Sequence, residues 1–366
     1  MFNKKKILFI VDVEGWAYDD QAKNWKSKLE DEFEIEILYL ADFPTYSINI
    51  LSAEEPLRAA GLSTVRFGAL EKKLISTLNR NVLNKKIKKS WLSNYSFYLS
   101  PGGYPDSVFD HEKYNLILFF YSNAIFDSRL SGTVIPSEKV LICINNEKWE
   151  DNGAKAFVGE TKNFCKGFIC CNDYILKEFS RFSESVYKAS QLVNSNVFFP
   201  VNRKPFDKNN FTVGYSGSTS NSYKNFDLIK SSAAKAGVTL SVAQDLTREE
   251  LNAWYSNVDA IICASKSEGG PMCILEAGIT KTPVITARVG LCREFANDAN
   301  AYIIEKTEES IISAINEVKN NYLQAQLKSE ILYNVIRSNY TYSTKSDDMR
   351  CAIREALASV DQRSLV

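Results

Sequence analysis

Residues 260–278, AIICASKSEGGPMCILEAG, contain the pattern that decides the fold. A short apolar run predicts a buried strand, and a polar loop with one acid and two glycines follows it. Pro271 then suits the first position of a helix, where its missing N–H costs nothing. The glycines allow a ligand to approach the backbone closely, and the free N–H groups at the start of the helix favour an anion such as phosphate.

Two carboxylates flank this anion site, Glu268 in the loop and Glu276 in the helix. Carboxylates repel phosphate, so they must act on another part of the ligand. An ionised carboxylate accepts hydrogen bonds from two O–H donors at once, and the vicinal hydroxyls of a sugar or ribose are its natural partners. The predicted ligand has phosphate in the middle and diols at both ends, as a nucleotide-sugar has. The alternative is that Glu268 caps the helix and Glu276 is merely exposed to solvent.

Short apolar runs alternate with longer polar or amphipathic stretches along the rest of the chain, which predicts parallel sheets covered by helices on both faces. Strands are predicted at residues 7–13, 35–40, 97–99, 116–121, 140–144, 168–171, 211–215, 239–242, 260–263, 283–286 and 301–304. Helices are predicted at residues 16–31, 68–78, 174–182, 223–236, 248–255, 272–279 and 308–319, and in a long C-terminal stretch. Residues 198–210 contain two prolines and no hydrophobic period, which indicates a linker. The predicted fold class is α/β, with two Rossmann-like doubly wound units that face a cleft, where such sheets bind ligands.

The order SEGG, LEA and then TPVI at residues 282–285 resembles the E-x7-E signature of retaining glycosyltransferases of the GT-B fold, the group 1 or family-4-like class. The resemblance implies an acceptor domain at residues 1–200, a nucleotide-sugar donor domain at 206–342, and a C-terminal helix at 343–366 that packs back onto the first domain. It implies that Glu276 binds the nucleotide ribose and that Glu268, with a catalytic role, contacts the hydroxyls of the donor sugar. The amides around Gly269, Gly270, Pro271 and Met272 would meet sugar and phosphate.

Residues 213–225, VGYSGSTSNSYKN, form a strand, a Gly/Ser loop at Gly217 and a helix start with a lysine. Loop amides, hydroxyls and the point charge of Lys224 suit phosphate. The family pattern has an Arg after the loop glycine and a Lys about six residues on, both on the donor diphosphate. Lys224 matches the Lys, but Ser218 stands where the Arg would be. Either Lys224 acts on the diphosphate with the helix dipoles alone, or another cation, Arg288 or Arg293, replaces the missing Arg. The alternative for Lys224 is a solvated helix lysine. The loop does not fit GxGxxG, which argues against a dehydrogenase.

Two more glycine loops follow predicted strands. Gly290 resembles the family's glycine before a helix near the donor, and the alternative is a simple turn. Gly15 lies where the family has its glycine-rich loop in the first domain, with Trp16 and Tyr18 either stacking on a sugar or packing the domain. We expect His111 to be a surface histidine, because it precedes a strand.

Composition excludes several other functions. The 366 residues contain 45% apolar side chains, 44 basic and 44 acidic residues, and one histidine, so a HExxH site is impossible and no specific nucleic-acid binding is expected. No apolar run approaches 18 residues, no signal peptide is recognised, and eight cysteines without a CxxC pair suggest a cytoplasmic protein. A basic run, KKIKKSWL, begins at Lys85 and ends at Leu92. It is either a solvated helix face or a peripheral contact with the inner membrane face.

The predicted reaction moves a hexosyl-type sugar from a UDP- or GDP-sugar to an acceptor hydroxyl with retention of configuration. The acceptor would be a glycan, a lipid-linked molecule or a protein, in cell-surface glycan or glycoconjugate synthesis. No metal or cofactor is expected, because fixed positive charge can replace a metal at the leaving diphosphate. The alternatives are a catalytically weak GT-B protein that binds sugar or nucleotide or acts as a scaffold, as Ser218 suggests, and a nucleotide-sugar epimerase or phosphorylase.

Overall fold

The structure is a computed structural model that describes residues 4–15, 17–43, 108–127, 130, 133, 135–146 and 153–363. In this part of the chain two parallel sheets form, one in each half. The first sheet contains β1 (Lys6–Val11), β2 (Glu34–Tyr39), β3 (Leu116–Phe119), β4 (Val140–Ile144), β5 (Gly167–Cys170) and β6 (Val186–Lys188), in the order β2-β1-β3-β4-β5-β6. The helices beside it are α1 (Ala17–Leu29), α2 (Gly153–Thr161) and α3 (Asp173–Ser180).

The second sheet contains β7 (Thr212–Ser216), β8 (Thr239–Ala243), β9 (Ala260–Cys263), β10 (Val284–Ala287) and β11 (Tyr302–Ile304), in the order β11-β10-β9-β7-β8. Its helices are α4 (Phe226–Lys235), α5 (Arg248–Asn257), α6 (Met272–Ile279), α7 (Cys292–Phe295), α8 (Glu308–Asn320) and α9 (Tyr322–Asn339). A last helix, α10 (Asp347–Arg363), follows. Every residue of β9 and β10 is buried, as expected for strands with helices on both faces.

Both sheets have the same switch point. In the first sheet β1 lies between β2 and β3, and in the second sheet β7 lies between β8 and β9. The chain therefore turns to opposite sides of the sheet after β1 and after β3, and likewise after β7 and after β9. Ligands of open α/β sheets bind at the carboxyl ends of the strands beside such a point. The loops that follow β1, β3, β7 and β9 are therefore the first place to look for a site.

The two halves share one hydrophobic core cluster, which passes from the first sheet through Leu192, Val193 and Phe198 to the second. Two segments cross between the halves side by side, because the Val193 amide donates to the Tyr340 carbonyl at 2.9 Å. Beyond this crossing, α10 lies against the first half, where Arg350 and Arg354 both bind Glu32.

The α/β fold class and the two parallel sheets are confirmed, and most predicted elements begin and end within two residues of the observed ones. Strand β6 and helices α2 and α7 were not predicted. Pro271 is the N-cap of α6 instead of its first helical residue, with φ −67° and ψ 97°. The predicted strand at 97–99 and helix at 68–78 lie outside the described residues. Among the described residues, no helix is long and apolar enough to span a membrane.

Candidate active site

The loops after β7 and β9 bring Lys224 and Glu268 together at the switch point of the second sheet. The Lys224 Nζ lies 2.7 Å from Glu268 Oε1, and Glu268 is only 8% exposed. Burial lowers the pKa of Lys224, but the charge of Glu268 and its hydrogen bond outweigh burial and raise that pKa above its ordinary value. Lys224 is therefore a cation at neutral pH, which supplies positive charge beside a buried carboxylate.

Local backbone contacts fix this pair. Asn225 adopts a left-handed conformation, with φ 55°, and its side-chain amide donates to the Ala264 carbonyl at 2.9 Å. The Lys266 amide donates to the Tyr223 carbonyl at 2.7 Å. The two loops thus hold each other on both sides of the ion pair.

The glycine pair lies against the first half of the chain. A Cβ atom on Gly269 would lie 2.0 Å from the Asn145 carbonyl oxygen, and one on Gly270 would lie 2.1 Å from Gln191 Oε1. The Gly269 carbonyl accepts hydrogen bonds from the side chain of Asn172 and the amide of residue 291, both at 2.8 Å. Gly269, Gly270 and the following proline are buried in this closed arrangement, so a diphosphate could reach their amides only if the halves separate.

Gly290 supports the same loop from within the second half. Its φ is +52°, and a Cβ atom there would lie 2.4 Å from the Gly269 carbonyl oxygen and 2.8 Å from that of Glu268. Both the backbone conformation and the close approach require glycine. Its observed contact is with the Glu268 loop, and a contact with the donor stays a prediction.

Helix α6 begins at Met272, and its N-cap residue, Pro271, makes no side-chain capping hydrogen bond. The first amides of a helix have no partner within the helix, so this end keeps donors and a positive dipole beside Glu268. Met272, the first residue of α6, is half-buried and lies on the wall of a cavity that also contains Glu276.

Glu276 is 3% exposed, so it is not the solvated side chain of the alternative interpretation. Its Oε2 accepts a hydrogen bond from the Tyr255 hydroxyl at 2.6 Å, and its Oε1 lies 3.4 Å from Arg248 NH1. Burial has the largest effect and raises the pKa of Glu276 above its ordinary value, although the charge of Arg248 and the Tyr255 hydrogen bond partly offset it. The cavity beside it measures about 170 Å³ and lies between the halves, with Asp20 of α1 on its opposite wall.

The Gly/Ser loop after β7 contains no arginine. Gly217 packs on the ring of Tyr215. The Tyr215 hydroxyl donates a hydrogen bond to the backbone carbonyl of the exposed Ser218 at 2.8 Å. Of the two suggested substitutes, Arg293 lies over the Tyr174 ring of α3 at 5.2 Å, and Arg288 is exposed after β10.

The first half contributes an aromatic wall. The ring centroids of Tyr18 and Tyr121 lie 5.9 Å apart. Burial raises the pKa of Tyr18, and electrostatic interaction with Asp12 and Tyr223 raises it further. Tyr18 thus interacts electrostatically with Tyr223 of the loop that holds Lys224. Gly15 adopts φ +80° and its amide binds Asp19 of the first turn of α1 at 2.7 Å.

Three other predictions have a different outcome. Trp16 and the basic run of residues 85–92 lie outside the described residues. His111 is partly exposed at the amino end of β3, on the edge opposite the site. Within the described residues, no cluster of three His, Cys, Asp or Glu side chains could hold a metal ion.

The sequence analysis missed residues that join the two halves. Asn172 follows β5 as the N-cap of α3, and its side-chain amide reaches the Gly269 carbonyl. Glu294 of α7 binds Lys188 Nζ at 2.9 Å and the amide of Asp173 at 2.7 Å. Arg248 is the first helical residue within a capping box formed by residues 247 and 250, and that motif was a usable signal for a helix start at the ligand-binding edge.

Comparison with solved structures identifies the fold. Over 97% of its length the chain is similar to all of the sucrose-phosphate synthase of Thermosynechococcus elongatus, with a TM-score of 0.64 and 13% identity. Over 96% it is similar to 99% of Anabaena HepE, solved with UDP and glucose, with a TM-score of 0.60 and 12% identity. TarM is matched over the same shares, with a TM-score of 0.59 and 13% identity. The fold is the GT-B fold of glycosyltransferases.

A family model matches part of the second half of the chain. Residues 203–334 match the model of the glycosyl transferases group 1, and they contain both glutamates and Lys224. A search of curated protein sequences finds no match. This match and the GT-B fold confirm the resemblance to group 1 glycosyltransferases inferred from the sequence.

Proposed function

We propose that the chain transfers a hexosyl-type sugar from a UDP- or GDP-sugar to an acceptor hydroxyl, with retention of anomeric configuration. The observation that carries the proposal is the ion pair between half-buried Lys224 and buried Glu268, beside the uncapped start of α6. The Ser267 hydroxyl in the same loop is buried without a hydrogen-bond partner among the described residues. A buried polar atom of that kind is explained by a ligand that completes its bonding.

The proposed reaction separates the sugar from its diphosphate. As the bond between the anomeric carbon and the diphosphate oxygen breaks, negative charge grows on the leaving group. Lys224 and the first amides of α6 would stabilise that charge because they are already oriented, which is the most effective form of electrostatic catalysis. Glu268 would hold the sugar hydroxyls while the acceptor oxygen attacks from the same face, and the acceptor proton would leave with the diphosphate.

The closed contact at Gly269 also fits this chemistry. The donor would enter when the halves separate, and closure would exclude water and so limit hydrolysis of the donor. We propose that the acceptor binds the first half beside Tyr18 and Tyr121, since these rings lie 5.9 Å apart and Tyr18 interacts electrostatically with Tyr223 of the Lys224 loop. A glycan, a lipid-linked molecule and a protein all remain candidates, as does a role in cell-surface glycan synthesis. The similar HepE structure contains UDP and glucose, which favours a UDP-sugar.

The test is a panel of UDP-, GDP- and ADP-sugars, read by nucleotide release and by a thermal shift. A ligand that binds only the folded chain raises the melting temperature. We expect one donor to shift the melting temperature and to release its nucleotide, with the product anomer determined by NMR. Glu276→Ala should lose the shift with an intact fold, and Glu249→Ala, an exposed acid of α5, is the control.

The second candidate function is a catalytically weak GT-B protein that binds sugar or nucleotide or acts as a scaffold. Ser218 favours it, because a cation expected on the diphosphate is missing at that position. Saturable donor binding without nucleotide release, with every acceptor supplied, would support this function over the transferase. The same panel therefore decides between the two.

A further inference from the structure

Arg248 lies between two acids that belong to different halves of the chain. Its NH1 is 3.4 Å from Glu276 Oε1 of α6, and its NH2 pairs with Asp20 Oδ2 of α1. The position of Arg248 is well defined, because the Thr247 capping box starts α5 at this residue. The guanidinium thus connects the predicted ribose-binding carboxylate to the opposite wall of the cleft.

Glu276 needs this cation. Its carboxylate is almost without water, and its other oxygen is held by the neutral Tyr255 hydroxyl. Around the cavity the remaining titratable groups are Asp20 and Lys23 of α1 and the tyrosine at 342. Lys23 is held by Asp19 at 2.9 Å and by the acid at position 14 at 3.2 Å. A buried carboxylate without a nearby cation takes up a proton instead of remaining charged.

The protonation state matters for a ribose ligand. An ionised carboxylate accepts hydrogen bonds from both hydroxyls of a diol, whereas a protonated one has lost part of that capacity and carries an O–H of its own. The cavity of about 170 Å³ brings Glu276, Arg248 and Asp20 onto one surface, which is where a nucleoside would meet them.

We propose that Arg248 is a positioning residue of the nucleotide site, which keeps Glu276 ionised and aimed at the ribose diol while Asp20 holds the guanidinium from the opposite half. The inference rests on the proposed function, because it needs a nucleoside diphosphate in this cleft. It adds a residue and a physical cause for the recognition of ribose over deoxyribose.

The test compares UDP with 2′-deoxy-UDP, or GDP with 2′-deoxy-GDP if the donor panel favours guanine. Dissociation constants are measured by calorimetry at pH 6, 7.5 and 9 for wild type, Arg248→Ala and Arg248→Lys. We expect wild type to prefer the ribonucleotide by at least about tenfold at every pH, as for hydrogen bonds to a charged acceptor. Arg248→Ala should lose this preference at pH 6 and recover it at pH 9, and Arg248→Lys should retain most of it.

Arg354→Ala is the matched control, because it removes an arginine–glutamate pair on α10 without touching the cleft. If Arg248→Ala does not fold, Arg248→Gln keeps the length of the side chain, loses its charge and makes the same comparison. A preference that survives unchanged at pH 6, or that is lost equally at all pH values, overturns the inference alone. If wild type binds no nucleoside diphosphate, the proposed function fails and the inference falls with it.

Discussion

Gly269→Ala tests whether the closed contact across the cleft serves catalysis. The new Cβ would lie 2.0 Å from the Asn145 carbonyl oxygen, 2.4 Å from its carbon and 2.9 Å from the next amide nitrogen. All three atoms belong to the backbone at the end of β4, so no side-chain rotation relieves the overlap. To reach a normal contact of about 3.5 Å, the two halves must move apart by about 1.5 Å at this point.

The expected cost follows from that displacement. Inserting a methyl group into a packed contact costs about 1–3 kcal/mol, which shifts the balance from closed towards open by roughly 5- to 150-fold. A misplacement of about 1 Å at a reacting centre can cost about 100-fold in rate. We expect kcat/KM for sugar transfer to fall by about 10- to 100-fold, while the melting temperature changes little, because each half can keep its own core.

The assay is steady-state transfer with the donor selected by the panel, together with small-angle scattering to measure separation of the halves. Gly159→Ala is the matched control, since a Cβ at that helical position meets nothing within 4 Å. It should leave kcat/KM unchanged. A wild-type transfer rate together with a wild-type scattering profile for Gly269→Ala would contradict this prediction.

Three further predictions use other contacts. Lys224→Met should lower kcat by about 100- to 1,000-fold, as the loss of one preorganised donor does, whereas Lys230→Met, an exposed change on α4, should have no effect. Arg354 and the arginine at 350 hold the pKa of Glu32 below its ordinary value of 4.5. Their ion pairs with Glu32 therefore stabilise the packing of α10 above about pH 4.5, and this stabilisation is lost as the pH falls through the pKa of Glu32 in the folded protein. Acid titration followed by proteolysis of the C-terminus should show this loss in wild type and not in Glu32→Gln. Cys351 is exposed whereas the other cysteines are buried or partly buried, so one thiol per chain should react rapidly with a maleimide, and Cys351→Ser should abolish that reaction, as mass spectrometry would show.

The sequence predicted those parts of the fold that have a strong local signal. Strands β4 and β9 and helix α6 begin and end as expected, because continuous apolar runs and a proline define them. Strand β6 has only three residues, each half-buried, so no apolar run marked it. Helix α2 has a weak amphipathic pattern and begins at a glycine, which hides its start.

For the site, the family resemblance assigned Lys224 and Glu268 to the same donor, and the structure brings the two together across 44 residues of sequence. The partners of Glu276 could not be predicted in this way. Arg248 and Tyr255 belong to a helix whose rotation relative to α6 depends on packing, and Asp20 belongs to the other half of the chain. Contacts between halves depend on the closed arrangement, which no local pattern encodes.

The loops that carry the proposed donor contacts are also the loops that hold the halves together. Gly269 touches Asn145, Arg248 pairs with Asp20, and Glu294 binds Lys188 of β6. On the other side, a backbone hydrogen bond joins the two crossing segments beside a shared apolar core. Polar contacts between exposed or partly exposed groups separate at lower cost than a buried core. Opening should therefore pivot on the crossing segments and break the contacts in the cleft first, so that the same movement that admits a donor also frees the residues proposed to bind it.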